Sequence, residues 1–469
     1  MKLSITKANA ILIAVFAYVI YLFLIDADIS NYKTGIYIMS VMGWIAWAYM
    51  CISWKKLTGE LFSLYIIFIS FAVVFTYGQC LMWALGIHGN RLEIIGRFIE
   101  GRIRLTDSDI FRTQLLTIVG LLAFHAGAMC QYKRLSNDSA WLKDHRSSQS
   151  LVTVCKVMLV ISTICAYYYW LRNGIIYRSF GYGAYQYGEN SGNINSIIII
   201  LGWMFIPSMI GVLVGNNYKK TDKKVCYTLF AIFVVLCTFA GDRAWIYNLV
   251  ILVWLHYRMQ GTFNTRRFVR LSISGLIILT FAEAVSTVRG GGLSFNAIIN
   301  SIINDNPISS AFFEMGGTMA PTAIIFHDPN FNYPFGNSYL LSIPEMITTK
   351  FITFFVPEYQ ALGGWFSQTY LGLSYGAGFS MIAEALANYG RYVAPLWMIL
   401  MGVVIARAIN IQHDEKDEIT IFFKSTTCIS FLYIVRNSTV NGLKQWFFTT
   451  FIIMVLVTVL TSRKRKRER

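Results

Sequence analysis

Two charged residues, Asp242 and Arg243, interrupt a stretch of apolar sequence that runs from Val225 to Tyr257. On insertion scales a charge near the middle of a membrane helix costs about 2.5 to 3.5 kcal/mol, so it persists where a partner or a function offsets that cost. A turn in which the two charges satisfy each other and simply end two helices is the structural alternative. The pair is therefore a candidate binding site at the rim of a membrane.

Further basic residues end other apolar runs. Arg289 precedes three glycines, and Arg436 and Lys444 flank a short polar interruption near the carboxyl end. A guanidinium forks onto phosphate oxygens, and glycine lets the backbone approach a ligand closely. An anionic ligand such as a lipid pyrophosphate would explain these groups, because a positive field stabilises the charge that grows on a leaving group. Helix capping, snorkelling and phospholipid headgroups are the alternatives.

A hydroxyl that attacks an anomeric carbon can use a base, and one long polar segment offers several. The candidates for proton transfer or binding are Glu314, His327, Asp328, Glu345, Glu358 and Glu384. The same segment is rich in aromatic side chains that could stack on sugar faces or form an interfacial belt, namely Phe331, Tyr333, Tyr339, Tyr359, Trp365, Tyr370 and Tyr375. The sequence does not choose among these residues.

The elements that position these residues are membrane helices. Of the 469 residues 55% are hydrophobic and only 14% are charged, against about a quarter in a soluble domain. Apolar runs of about 20 residues are long enough to cross a bilayer. We predict an all-α polytopic membrane protein with about twelve transmembrane helices, near residues 8–25, 35–54, 61–86, 112–131, 151–170, 194–215, 225–241, 244–257, 271–288, 391–410, 419–435 and 445–462.

Charge placement predicts the orientation. With the basic tail Arg463–Arg467 in the cytosol, 24 of the 40 Lys and Arg residues fall in inner loops and the tail, and both termini are cytosolic. The net charge of +16 is then a topology signal and predicts no nucleic-acid partner. The predicted regions are residues 1–289 with nine helices, a large outer loop at 290–390, and 391–469 with three helices and the tail.

Three outer segments follow from this topology. His88 to Phe111 has apolar residues at helical spacing and is predicted to be an amphipathic helix along the interface. Leu171 to Asn193, which carries Arg172, reads as a loop. In the large loop, Met346 to Val356 and Phe379 to Ala387 are predicted to be short interfacial or re-entrant helices.

Cofactor motifs are missing from the sequence. All eight cysteines lie within or beside apolar runs without a CxxC pair, and there is no P-loop or GxGxxG motif. The sequence therefore predicts no disulfide scaffold, no metal and no cofactor.

Three features resemble a known family. They are Gly241-Asp242-Arg243 between two central helices, the single long outer loop, and Gly376-Ala377-Gly378-Phe379-Ser380 leading to Glu384 and Asn388-Tyr389-Gly390. The chain is similar in these features to the Wzy-type O-antigen (oligosaccharide repeat-unit) polymerases. An Arg followed eleven positions later by Gly, a spacing noted in some surface-polysaccharide polymerases, also occurs at Arg172 and Gly183, but chance predicts several such pairs in a chain with 35 glycines.

The resemblance implies a fold like that of the GT-C membrane glycosyltransferases and a site that opens to the periplasm of a bacterial inner membrane. Its partners would be polyprenyl-pyrophosphate-linked oligosaccharides, the lipid bilayer and a chain-length regulator protein. Arg243 and Arg289 would hold the pyrophosphate of the donor, and Glu384 with the turn before it would shape the loop over the site. Asp242, Arg172, Arg436, Lys444, His327, Glu345, Tyr339 and Tyr375 are the further binding candidates.

Two rivals remain at this point. An O-antigen ligase shares the plan and the reaction class but uses lipid A core as acceptor. A flippase for lipid-linked units predicts two similar halves with charges spread through helix interiors, which this sequence lacks. A membrane O-acyltransferase is disfavoured, because His125 and His256 have no nearby Asp or Asn in sequence.

Overall fold

The computed structural model describes residues 4–90, 92–95, 98–99, 103–132, 145–180, 195–243, 245–260, 306–373, 376–412 and 417–467, with single positions at 266, 270, 274 and 275. The predicted helix at 271–288 falls almost entirely outside these residues. So do Arg289 and Tyr375 of the candidate site, and Arg91, Arg97 and Arg102 of the first outer segment.

The described chain is almost entirely helical. Its helices are α1 (Ile5–Leu24), α2 (Tyr32–Thr58), α3 (Leu64–Trp83), α4 (Asp107–Gln131), α5 (His145–Phe180), α6 (Ser196–Trp203), α7 (Phe205–Gly215), α8 (Lys220–Phe239), α9 (Trp245–Gln260), α10 (Pro307–Gly316), α11 (Ala320–His327), α12 (Ser338–Glu345), α13 (Lys350–Thr353), α14 (Leu362–Gly364), α15 (Met381–Ile409), α16 (Glu418–Arg436), α17 (Thr439–Trp446) and α18 (Ile452–Arg467). A 3₁₀ turn spans Gly317–Met319, and π-helical turns span Trp365–Tyr370 and Phe447–Phe451. The strands β1 (Phe98–Ile99) and β2 (Ile103–Arg104) form one antiparallel pair.

Nine helices of the described chain are long and apolar enough to cross a membrane. They are Ile5–Leu24, Tyr32–Thr58, Leu64–Trp83, Asp107–Gln131, Ser148–Phe180, Ser196–Gly215, Met381–Ile409, Glu418–Arg436 and Thr439–Arg463. Each coincides with one of the twelve predicted spans, so the all-α polytopic membrane fold is confirmed. The predicted spans at 225–241 and 244–257 are also helical, as α8 and α9. They stay outside the nine because α8 begins with a charged turn and α9 has only 16 residues.

The prediction of an amphipathic helix over His88 to Phe111 is wrong. Residues 92–95 are irregular, β1 and β2 form a short hairpin, and α4 begins only at Asp107. The side chain of Gln79 explains part of this, because its amide nitrogen donates to the carbonyl of Leu92 and its oxygen accepts from the backbone N–H of Ile94. These bonds occupy backbone groups that a helix would use for itself.

The loop predicted from Leu171 is also wrong over its first ten residues, since α5 continues to Phe180. Gly174 lies against the ring of Phe239 so closely that a side chain there would clash, and the guanidinium of Arg178 lies 5.2 Å from the centroid of the same ring. Packing against α8 therefore extends the helix through a glycine that disfavours it.

The large outer loop is only partly as predicted. Within Met346 to Val356 only α13 is helical, and the longer helix α12 precedes that stretch. The helix predicted near Phe379 to Ala387 is present from Met381 onward, as the first part of α15. Gly390, with φ 69° and ψ 174°, bends α15 between this part and the predicted span that follows.

The helices pack as two compact units. The first comprises residues 1–134, 309–413 and 431–442. Its centre is formed by α3, α4 and α15, and in it Gly127 and Gly402 let α4 and α15 approach until each glycine touches a carbonyl of the other helix. Small residues allow close packing of this kind between membrane helices.

The second unit comprises residues 135–308, 414–430 and 443–469. Here α5 is the central helix and packs against α6, α7, α8 and α18. Gly211 lies against the sulfur of Cys155, and the rings of Phe205, Phe230 and Phe233 pack together between α7 and α8.

Candidate functional site

Glu384 lies at the centre of a polar network in the first unit. It is in the first turn of α15, which begins where the Ser380 side chain accepts a hydrogen bond from the Ala383 backbone N–H. One carboxylate oxygen accepts from Ser338 Oγ at 2.7 Å, and the other accepts from the backbone N–H and the hydroxyl of Thr439, both at 2.7 Å. Glu384 is 0% exposed. The carboxylate thus joins α12, α15 and α17.

Asn388 extends this network by one helical turn. Its amide nitrogen donates to Ser338 Oγ at 2.8 Å and to the Glu384 carbonyl at 2.7 Å, and its oxygen accepts from the Ser338 backbone N–H at 2.7 Å. Ser338 therefore has three hydrogen bonds, one to the Glu384 carboxylate and two with the Asn388 side chain. Sequence reasoning missed Ser338 and Thr439, which are the first residues of α12 and α17.

The turn before α15 holds the end of α16. The backbone N–H of Phe379 donates to the carbonyl of Arg436 at 3.0 Å, and the backbone N–H of Ala377 donates to Ser367 Oγ at 3.0 Å. Arg436 is the last residue of α16 and its side chain is exposed. The turn of residues 376–380 and Glu384 therefore fix the backbone on both sides of the Asn437–Ser438 connection.

Glu345 and Tyr339 lie on the same helix, α12, and both face inward. Tyr359 donates its hydroxyl hydrogen to Glu345 Oε2 at 2.7 Å. Burial raises the pKa of the Tyr359 hydroxyl above its ordinary value, and the hydrogen bond and charge of Glu345 add to this effect. Tyr339 is within electrostatic range of Glu384, and burial is the main cause of its raised pKa. The structure therefore brings the candidates Glu345, Tyr339 and Glu384 close to one another.

Most aromatic residues of the outer loop form a small core rather than an open platform. Phe331 contacts the rings of Trp365, Phe366 and Tyr370, with centroids 5.2 to 6.2 Å apart. Tyr333 contacts Phe335 and Trp365. Of these rings, Tyr333, Trp365 and Phe366 are buried. Their enrichment in the sequence is explained by packing within the loop.

His327 and Asp328 bind different partners. His327 Nδ1 lies 2.8 Å from Asp109 Oδ2, and Asp109 also closes a capping box with Thr106 at the start of α4. Tyr370 donates its hydroxyl hydrogen to Asp328 Oδ2 at 2.6 Å. Both contacts tie the outer loop to itself or to α4. Asp109 is a further residue that sequence reasoning missed.

The remaining described candidates, Arg172, Asp242, Arg243 and Lys444, belong to the second unit. Arg172 lies on the last turns of α5. The charges of both Arg172 and Asp242 act on the hydroxyl of Tyr169, which lies on the same helix. Lys444 is half-buried on α17. Gly174 follows Arg172 on α5 and packs on Phe239, which precedes Asp242 at the end of α8, so these parts of the two helices are neighbours.

Gly241 determines how α8 ends. Its φ is +72°, its N–H donates to the carbonyl of Thr238, and the N–H of Asp242 donates to the carbonyl of Cys237. This pair of bonds is a Schellman motif, in which glycine takes the left-handed position without steric cost. The turn exposes part of Asp242 and Arg243, and the carbonyl of Arg243 then accepts from the N–H of Ile246 in α9.

Among the described residues, no group of three His, Cys, Asp or Glu side chains is arranged to hold a metal ion. In the first unit, the carboxylates of Glu384 and Glu345 are fixed by hydrogen bonds. In the second unit, the basic side chains of Arg172, Arg243 and Lys444 are partly exposed. Basic groups of this kind suit an anionic ligand.

Comparison with known proteins gives one match. No curated protein and no solved structure is significantly similar to the chain. The family model of the O-antigen polysaccharide polymerase Wzy, however, matches residues 8–468, which is nearly the whole chain. Together with the membrane-spanning helices, this match shows that the chain is a member of the O-antigen polysaccharide polymerase Wzy family.

Proposed function

We propose that the chain transfers a polyprenyl-pyrophosphate-linked glycan onto a lipid-linked oligosaccharide repeat unit at the outer face of a bacterial inner membrane. The observation that carries this proposal is the packing of Gly174 of α5 on Phe239 of α8, which places Arg172 near the turn that carries Asp242 and Arg243. Family membership supports it, because an O-antigen polymerase acts on glycan repeat units.

The basic groups would act on the donor. In the transfer, an acceptor hydroxyl forms a bond to the anomeric carbon, the bond from that carbon to the pyrophosphate oxygen breaks, and the pyrophosphate leaves with the electron pair. Arg243, with Arg289, would fork onto phosphate oxygens and stabilise the charge that grows on them. The hydroxyl proton passes to a base, and we assign no residue to that role.

Glu384 takes a positioning role in this proposal. Its carboxylate is fully buried and all three of its hydrogen bonds go to α12 and α17. A buried group with these partners holds a loop more readily than it reaches a substrate. The exposed side chain of Arg436, beside the backbone that Glu384 and Phe379 hold, is the anion-binding candidate that we assign in that unit.

Orientation follows from charge. With the basic tail in the cytosol, the end of α8 before Arg243 and the last turns of α5, which carry Arg172, are assigned to the outer face, where these charges depart from the positive-inside rule. An anionic ligand such as the lipid carrier would explain why Arg172 and Arg243 carry positive charge on the outer side.

A glycan ladder on a gel tests the proposal. A strain without the gene should carry surface lipid capped with a single repeat unit, and the wild-type gene should restore long chains. The Arg243→Ala, Arg289→Ala double variant should insert normally but leave single units. Arg407→Ala, at the far end of α15, is the matched control and should restore long chains.

Each rival predicts a different ladder. If the deletion strain shows no capped lipid at all, a ligase or a flippase explains the chain better than a polymerase does. Normal long chains from the double variant would exclude the proposed role of the two arginines.

A further inference from the structure

The segment from α12 to α13 exposes a row of large apolar side chains. Phe354 and Phe355 are 81% and 80% exposed, which is more than any other phenylalanine among those that the structure describes as exposed. The other members of this apolar row are Leu340, Ile343, Ile347 and Phe351. Soluble surfaces rarely expose a contiguous apolar patch unless it binds something.

The spacing of the row places it on one side of the segment. Leu340, Ile343, Ile347, Phe351 and Phe354 follow one another at intervals of three or four residues, which is the period of a helix face. The backbone keeps helical turns between α12 and α13, because the N–H groups of Met346, Ile347 and Ile352 donate to carbonyls three or four residues earlier. Thr348 separates the two helices, and the exposed apolar residues keep helical spacing on both sides of it.

The opposite face of α12 is polar and buried. Ser338 binds Glu384, the Ser342 hydroxyl donates to the Ser338 carbonyl, and Glu345 accepts from Tyr359. A helix on the surface of a soluble protein has the reverse arrangement, with its apolar face inward. Polar groups inward and apolar groups outward are typical of a helix whose surroundings are lipid.

The apolar row continues the lipid-facing surface of a membrane helix. Tyr339 of α12 stacks on Tyr389, with centroids 5.9 Å apart, and lies 4.9 Å from Trp397. These two residues flank the bend of α15 at Gly390. The part of α15 beyond the bend exposes Val393, Leu396, Leu400 and Val404, which face lipid in a membrane-spanning helix.

We propose that the apolar row is a lipid-binding surface that holds α12 and α13 in the plane of the membrane, within the acyl-chain boundary of the leaflet at the bent end of α15. Lipid is favoured over a protein partner because the row adjoins a surface already in contact with acyl chains. The exposed Lys350 lies on the same segment, where its amine can reach headgroup phosphates. Lipid binding by this row does not depend on the reaction that the chain catalyses.

Hydrogen bonds within the segment fit this location. The side chain of Asn337 accepts from the N–H groups of Tyr339 and Leu340 at the start of α12, where a helix otherwise leaves donors unpaired. The N–H groups of Phe355 and Val356 donate to the carbonyl of Ile352 at the other end. Backbone groups paired in this way tolerate an apolar environment.

Photocrosslinking in vesicles tests the proposal. Benzoylphenylalanine replaces Phe354 or Phe355 in the full chain, which is then reconstituted in phosphatidylethanolamine–phosphatidylglycerol vesicles whose acyl chains carry an alkyne. Gln368, which is exposed in the same outer loop but outside the row, is the matched control position. Because these positions are on the surface, the variants should purify like the wild type.

After irradiation, both row positions should be labelled by lipid severalfold more strongly than position 368. Equal labelling at the three positions would overturn the proposal. So would a crosslinked band at twice the mass of the chain without lipid label, since the row would then contact a second copy. A second substitution, Phe351→Ser with Ile347→Ser, should lower labelling at position 354, and unchanged labelling would count against a continuous lipid-binding row.

Discussion

Two regions hold charged groups in opposite ways. Around Glu384, three donors from α12 and α17 surround a carboxylate that has no exposed surface. At the end of α8, Asp242 and Arg243 follow a glycine turn and remain half-buried. Glu384 was identified in the long polar segment and Asp242 and Arg243 in apolar sequence, and only the second region leaves its charged groups partly accessible.

The difference shows what burial adds to a charged residue in a membrane sequence. A charge in apolar surroundings must be offset by partners or by function, and sequence alone leaves both open. At Glu384 the hydrogen bonds join three helices and leave no exposed surface. At Asp242 and Arg243 partial exposure leaves room for a ligand. We therefore expect loss of folding from changes at the first region and loss of activity from changes at the second.

The largest effect is expected for Glu384→Ala. The substitution removes three hydrogen bonds to a carboxylate and leaves buried donors on Ser338 and Thr439 unpaired, which should lower the free energy of unfolding by about 4 kcal/mol or more. Thermal unfolding of the detergent-purified protein measures this loss. Glu384→Gln keeps one acceptor oxygen, so its free energy of unfolding should fall by less than that of Glu384→Ala. A stable Glu384→Ala protein that forms no polymer would instead make Glu384 a direct participant in the reaction.

Arg243→Ala should separate activity from folding. If the guanidinium stabilises charge on the leaving pyrophosphate, its loss should slow polymerisation about a hundredfold, as removal of a single such donor does in other enzymes. The midpoint of thermal unfolding should change little. Arg243→Lys keeps the positive charge but loses the two-pronged hydrogen bonding of the guanidinium. Its polymerisation rate should therefore lie between the rates of the wild type and of Arg243→Ala. Chain-length distributions from complemented deletion strains measure activity, and a parallel fall in thermal stability would place Arg243 with Glu384 as a structural residue.

Much of this architecture was predictable because apolar runs of about 20 residues have few alternatives to crossing a membrane. The short helix near Phe379 to Ala387 and the span from residue 391 were predicted as separate elements, and the structure joins them in α15 with a bend at Gly390 that was not predicted. The membrane helices therefore follow from local composition.

The failures came from contacts between segments distant in sequence. Gln79 pairs with the backbone of Leu92 and Ile94, and α8 packs against Gly174 of α5. Neither contact leaves a local pattern in the sequence. The partners of Glu384 at Ser338 and Thr439 are 46 and 55 residues away, so their convergence could not be inferred from spacing either.

A smaller effect is expected for Gly241→Val. A β-branched residue at a φ of +72° costs about 1 to 2 kcal/mol and would disturb the turn that presents Asp242 and Arg243. Gly241→Asn should be milder, because asparagine tolerates the left-handed conformation. Both variants can be compared by thermal unfolding and by glycan ladder. If valine shortened the chains no more than asparagine did, the geometry of this turn would not matter for activity.

The smallest effect is expected for Tyr370→Phe, which removes only the hydrogen bond to Asp328. The loss should be about 1 kcal/mol at neutral pH. Burial raises the pKa of the Tyr370 hydroxyl, and its hydrogen bond to Asp328 raises it further. Because the folded-state pKa lies above the unfolded value of about 10, this contribution is fully present below that pH and is lost only as pH rises through the folded-state pKa. The difference in unfolding free energy between wild type and Tyr370→Phe should therefore stay constant from about pH 6 to pH 9. A difference that shrank within that range would mean that the hydroxyl titrates earlier, and that the outer loop around Tyr370 is more open to water than its packing indicates.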